Sequence, residues 1–218
     1  MTELITNRHD VVIGGHRLSG FLDVPENARG LVIFAHGSGS GRHSPRNQHV
    51  AAGLNRVGMA TLLVDLLTPE EERDRRNVFD VRLLARRLRE AAEWAAEVPQ
   101  LGVLPLGYFG ASTGAAAAII AASMPGDRAV AIVSRGGRPD LAGAAALGAV
   151  TAATLLIVGS LDHEVLDLNH DAMALMTAPS ELVTVPGASH LFEEPGTLDK
   201  VIDLATRWFS THLKQEAR

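Results

Sequence analysis

Residues 103–122 read Val-Leu-Pro-Leu-Gly-Tyr-Phe-Gly-Ala-Ser-Thr-Gly-Ala-Ala-Ala-Ala-Ile-Ile-Ala-Ala. Val103 to Phe109 predicts a strand and Ala115 to Ala122 a helix of small residues, with Gly110-Ala111-Ser112-Thr113-Gly114, a G-x-S-x-G turn, between them. A chain that passes from strand into helix so abruptly holds Ser112 in a strained backbone conformation and leaves its flanks almost no room for side chains. Gly110 and Gly114 supply that clearance. The turn lifts the Ser112 hydroxyl to the carboxyl edge of a sheet, at the positive end of the following helix.

Outward from this turn, short runs rich in Val, Ile and Leu alternate with segments of helical period, the pattern of a parallel sheet covered on both faces. Leu31–Ala35, Ala60–Val64, Ala129–Val133, Thr154–Val158 and Leu182–Val185 read as further strands. Val11-Val12-Ile13, Gly14-Gly15, then Leu18, Gly20, Leu22 and Val24 at alternate positions predict an antiparallel hairpin ahead of them, for eight strands in all. Val81, Leu84, Leu88, Ala92 and Ala95 define one face of a helix whose solvated side should carry Arg82, Arg86, Arg87, Arg89, Glu90 and Glu93. Leu198, Val201, Ile202, Ala205, Trp208 and Phe209 define a last helix that should lay its aromatic pair on the sheet. Only a small-residue helix fits between Val133 and Thr154, so no separate lid is expected, and no repeat or linker divides residues 1–218 into two domains.

The 218 residues carry 20 Lys+Arg against 25 Asp+Glu, a formal charge of -5, so no overall positive field gathers nucleic acid or anionic lipid. Cysteine is absent, which removes disulfides, thiolate nucleophiles and zinc-thiolate sites together. The uncharged stretch Leu141–Leu161 is largely Ala, Gly and Thr, too weakly apolar for a membrane span. The opening MTELITNRHD lacks a leader's apolar run, and a cytoplasmic location is expected.

A serine hydroxyl becomes a nucleophile only when a base takes its proton and a third group orients that base. Asp162 follows the strand ending at Val158, and His190 follows the one ending at Val185. Loops after parallel strands share one edge, so Ser112, Asp162 and His190 can converge there as a catalytic triad. Two backbone N–H groups should receive the oxyanion of an attacked acyl group, one from Thr113 and one from Ser38 in the turn His36-Gly37-Ser38-Gly39-Ser40-Gly41. The imidazole must be neutral to act, so activity should fall in mildly acidic buffer.

The same glycine turn, followed by Asp65 at the end of the next strand, imitates a dinucleotide site, but Arg42 stands where the third glycine belongs and helical period starts only after Asn47. His36, His43 and His49 have no metal-ligand spacing. Arg42, Arg46, Arg135 and Arg138 border the same edge, either as solvated loop arginines or, with Arg42 and Arg135 as candidate substrate-binding residues, as anchors for an anionic group.

The order of strands with GASTG, GSLDHEV and PGASHLF resembles the α/β-hydrolase superfamily over nearly the whole chain. HGSGSGRHSPRN and the missing lid are similar to its small dienelactone-hydrolase-like branch, which includes relatives fused to phosphoribosyltransferase domains. The resemblance implies a lidless α/β-hydrolase fold, a Ser112, His190, Asp162 triad with Ser38 and Thr113 as oxyanion donors, and no metal or organic cofactor. Dienelactone hydrolases carry cysteine at the elbow, where this chain has Ser112, so the implied activity is hydrolysis of small carboxylic esters. The implied partner is a small-molecule ester. Thioester or amide cleavage and acyl transfer share that machinery, and a non-hydrolytic binding module could share the fold.

Overall fold

The computed structural model describes residues 8–214. The opening residues 1–7, read above for a leader, lie outside them. Eight strands form one sheet in the order β1-β2-β4-β3-β5-β6-β7-β8. The hairpin β1 (Arg8–Ile13) and β2 (Leu18–Asp23) is antiparallel and joins β4 (Met59–Val64) antiparallel. From there β4, β3 (Gly30–Ala35), β5 (Leu106–Ala111), β6 (Ala129–Arg135), β7 (Ala153–Gly159) and β8 (Ser180–Val185) run parallel. Strands β3, β4, β5 and β7 are buried along their whole length, as their unbroken apolar runs require of strands covered on both faces.

One face of the sheet packs under α3 (Val81–Glu97), α5 (Thr113–Ser123) and α6 (Gly143–Ala149), in a cluster containing Leu84, Leu88, Ile119, Tyr108 and Leu147. The other face is covered by α1 (Pro45–Arg56) and α8 (Thr197–His212), with Val50, Leu54, Phe109, Ile157, Val201 and Phe209 in one cluster. Phe109 and Phe209 are fully buried, each contributing about 1.5–3 kcal/mol of transfer free energy. Trp208 adds a hydrogen bond from Nε1 to the Ala153 carbonyl at 3.2 Å, a structural use of the indole.

Three expectations shift. The strand predicted from Val103 begins only at Leu106, because Pro99–Gly102 closes a short helix, α4, and Pro105 has no N–H to give the ladder. Val103 is left 66% exposed. Helix α1 starts at Pro45, ahead of the periodic residues, because Ser44 caps it through the Asn47 N–H and proline suits the first helical position. Arg87, expected on the solvated side of α3, is only 8% exposed, since the turn Glu71–Arg73 folds over it and Glu71 meets its guanidinium at 2.5 Å. The remaining helices, α2 (Arg75–Phe79) and α7 (His163–Leu175), complete the order, and none of the described helices is long and apolar enough to cross a membrane.

Candidate active site

Ser112 sits between the end of β5 and the start of α5 with φ 51° and ψ -122°, a backbone conformation few L-residues adopt. The glycines beside it are sterically required. A Cβ at Gly114 would stand 2.1 Å from the Ala35 carbonyl oxygen, and one at Gly110 would stand 2.5 Å from the Ala115 Cα. Backbone bonds fix the turn: the Ser112 N–H donates to the Arg135 carbonyl at 3.3 Å, and the Ser112 carbonyl accepts from Ala115 at 3.1 Å and Arg138 at 3.0 Å.

His190 and Asp162 are joined by a 2.6 Å hydrogen bond between Nδ1 and Oδ2. A carboxylate can only accept, so Nδ1 carries the proton, and in the neutral ring it is Nε2 that keeps the lone pair. Asp162 occupies the N-cap position of α7 yet makes no capping bond, because its carboxylate is turned to the imidazole. The two loops are stitched together by Leu161 N–H to Ala188 O at 3.0 Å and Gly187 N–H to Ser160 Oγ at 2.8 Å. Ser112 and His190 pack on a common stretch: Arg138 holds the Ser112 carbonyl, while a Cβ at Gly136 would lie 3.6 Å from His190 Nδ1. Among the described residues no hydrogen bond links the Ser112 hydroxyl to the imidazole, an arrangement common in free enzymes.

The expected oxyanion donors are also neighbours, with a difference. The Ser38 N–H donates to Thr113 Oγ1 at 3.2 Å, so one of the two donors is occupied at rest. Thr113 opens α5, and its N–H has no intrahelical acceptor.

Sequence reading missed three supports. His36 is buried, accepts the Leu66 N–H on Nε2 at 3.0 Å, and therefore donates from Nδ1 to the Gly37 carbonyl at 3.0 Å. Both ring nitrogens are engaged in holding the glycine turn. Glu194 accepts the Ser189 N–H at 3.1 Å, and the Ser189 side chain first, then this backbone bond, hold its carboxyl below the ordinary range. Phe192, with φ 55°, buries its ring and anchors the loop just after His190. No local pattern marks these roles, which depend on residues up to 30 positions away.

The four arginines part company. Arg42 gives its backbone N–H to Asp65 Oδ1 at 2.7 Å, forms an ion pair with Oδ2, and lies 5.1 Å over the Phe21 ring. Arg46 bonds Glu193 at 2.8 Å, and Arg138 grips Asp140 through two bonds of 2.8 Å. Arg135 is the last residue of β6, not a loop residue, and is 7% exposed. Its Nε and Nη1 have no hydrogen-bond partner among the described residues.

No family model matches the chain. A crystal structure of dienelactone hydrolase from Anabaena variabilis superposes with a TM-score of 0.91 and 50% sequence identity, over 96% of this chain and 98% of that one. The chain belongs to the dienelactone-hydrolase-like α/β hydrolases. Est1E from Butyrivibrio proteoclasticus shares this α/β-hydrolase fold at 16% identity, with a TM-score of 0.78 over 94% of this chain and 98% of that one. A Mycobacterium tuberculosis protein, provisionally named a phosphoribosyl transferase, is 59% identical to this hydrolase-family chain over 203 residues. That match covers 93% of the chain and 46% of the relative, so the chain spans about half the length of the curated relatives it matches.

Proposed function

We propose that this chain is a serine hydrolase of small carboxylic esters acting through an acyl-enzyme. The observation that carries the reading is the 2.6 Å bond from His190 to Asp162 at the sheet edge where Ser112 is held in its strained turn. In this reading Ser112 Oγ attacks the acyl carbon while His190 Nε2 takes its proton, and Asp162 stabilises the imidazolium that forms. The carbonyl oxygen, now an anion, is received by the Thr113 N–H and by the Ser38 N–H as it exchanges the Thr113 hydroxyl for the substrate. Collapse of the tetrahedral adduct expels the alcohol with the proton from His190. Water, activated by the same imidazole, then releases the acid and restores the serine.

The segment between β6 and β7 holds only a 3-10 turn, Pro139–Ala142, and the seven residues of α6, which supports a site without a lid and a preference for short acyl chains. The phosphoribosyl-transferase name belongs to a relative more than twice the length of the matched stretch, and we assign ester hydrolysis to the stretch the two share.

A fluorophosphonate probe applied to the native protein is expected to label Ser112, and Ser112→Ala to abolish both labelling and hydrolysis of nitrophenyl esters. Hydrolysis that persists with no adduct at Ser112 would reject the reading.

A further inference from the structure

The residues that end β6 touch the segments of all three triad members. The Arg135 carbonyl accepts the Ser112 N–H at 3.3 Å, and the Arg138 N–H donates to the Ser112 carbonyl at 3.0 Å. Gly136 backs the histidine loop, where a Cβ would stand 2.9 Å from the His190 carbonyl oxygen, and its N–H reaches the Ile157 carbonyl of β7 at 2.8 Å. Gly137 is buried between Ser134 and Ala115, so closely that a side chain there would collide with both. A carbonyl enclosed in this way needs a donor, and the donor for Gly137 comes from α7.

That donor is Asn169. Its Nδ2 donates to the Gly137 carbonyl at 2.9 Å and to the Val165 carbonyl, one turn back in the helix, at 2.7 Å. Both partners are carbonyl oxygens, which only accept, so chemistry fixes which way the amide faces. Asn169 is fully buried, on the stripe of α7 that also holds Val165 and Ala172, and its own Oδ1 has no partner among the described residues. An apolar side chain would fill that stripe without desolvating an amide, so helix packing alone does not account for Asn169. What the amide adds is a tie between α7 and Gly137.

The tie bears on Asp162. Asp162 stands at the N-cap of α7, about two turns ahead of Asn169 and therefore on the same side of the helix. Its carboxylate does nothing to seat α7, and its carbonyl joins it to the first turn by accepting the Leu166 N–H at 2.9 Å. Asp162 thus inherits the position of the helix, and Asn169 refers that position to the segment that holds Ser112 and backs His190.

We propose that Asn169 is a positioning residue of the triad, whose bond to Gly137 sets Asp162 in register with His190 and Ser112. The proposal rests on the ester-hydrolase reading and adds to it a residue that touches neither substrate nor reacting atoms.

The test uses two variants that cut the tie in different ways. Asn169→Ser places a hydroxyl one bond short of the amide nitrogen, able to bond back to Val165 but not to reach Gly137; Asn169→Leu keeps the bulk and loses both bonds. In each, kcat for 4-nitrophenyl acetate should fall about 10- to 100-fold with KM within about twofold, as expected when reacting groups are misplaced and binding is not. Nitrogen-15 spectra of protein labelled at histidine, with the His190 signals assigned by their loss in His190→Gln, read the tautomer directly. Wild type should hold the Nδ1–H form, and both Asn169 variants should move toward the Nε2–H form, as Asp162→Asn does. Ala172→Gly loosens the same helix without touching the tie, and should lower the melting temperature while leaving kcat within about twofold and the tautomer unchanged. Unchanged kcat and tautomer in a folded Asn169→Ser overturn the proposal, and so does an equal loss of kcat in Ala172→Gly; should Asn169→Leu fail to fold, Asn169→Ser decides. The tautomer needs no turnover. Its shift in Asn169→Ser, in a protein that cleaves no ester, supports the tie and rejects only the hydrolase reading, whereas wild-type ester cleavage untouched by either Asn169 variant removes the tie and leaves the hydrolase.

Discussion

Asp162 stands at the N-terminus of α7, where an aspartate ordinarily caps the helix, and instead directs its carboxylate to His190 Nδ1 at 2.6 Å. The position therefore serves the imidazole at the helix's expense, and the two uses can be separated by experiment.

Asp162→Asn keeps the shape but replaces an accept-only carboxylate with an amide that can donate to Nδ1 and so no longer fixes the tautomer, and kcat should fall by about 10³- to 10⁴-fold. Because no capping bond is lost, the melting temperature should stay within about 3 °C of wild type. A large drop in melting temperature with modest loss of kcat would assign Asp162 to the helix.

Thr113 Oγ1 accepts the Ser38 N–H at 3.2 Å and thereby ties the glycine turn after β3 to the start of α5. Thr113→Val should lower kcat about tenfold with KM little changed, whereas Thr113→Ser, which keeps the hydroxyl, should stay within about twofold. Equal losses in both variants would point to the methyl group, and so to packing.

Gly114 faces the Ala35 carbonyl oxygen, 2.1 Å from where a Cβ would stand, and neither backbone can yield without moving β3 or α5. Gly114→Ala should cost about 3 kcal/mol or more in a urea titration. A variant as stable as wild type would mean that the elbow is looser than its backbone suggests.

Burial raises the Glu71 carboxyl, but the Thr68 N–H, at 2.9 Å, and Arg87 outweigh it and hold the group below its ordinary value of 4.5. A folded-state value below the unfolded one means that the stabilisation is fully present above 4.5 and is lost as pH falls through the lowered value. The stability difference between wild type and Glu71→Gln, about 1 kcal/mol at neutral pH, should thus shrink as buffer is taken below pH 4. A difference that grows on acidification would reverse the sign.

The eight strands, the elbow and the sequence Ser112, Asp162, His190 were legible in the amino-acid sequence because each rests on a local constraint. A fully buried strand needs an unbroken apolar run, and a strand-to-helix turn around a serine needs residues without side chains on both flanks. The parallel arrangement then brings the loops of β5, β7 and β8 to one edge regardless of the distance along the chain. What tertiary structure alone decided is the fate of the polar groups. Arg42 and Arg135 look equivalent in sequence, yet one is spent on Asp65 and the other is buried with Nε and Nη1 unpartnered among the described residues. Arg87 looks solvated and is enclosed with Glu71, while the Ser38 N–H looks free and is bonded to Thr113. Pairing and desolvation depend on which distant segment arrives beside a group, and no periodicity within its own element records that arrival.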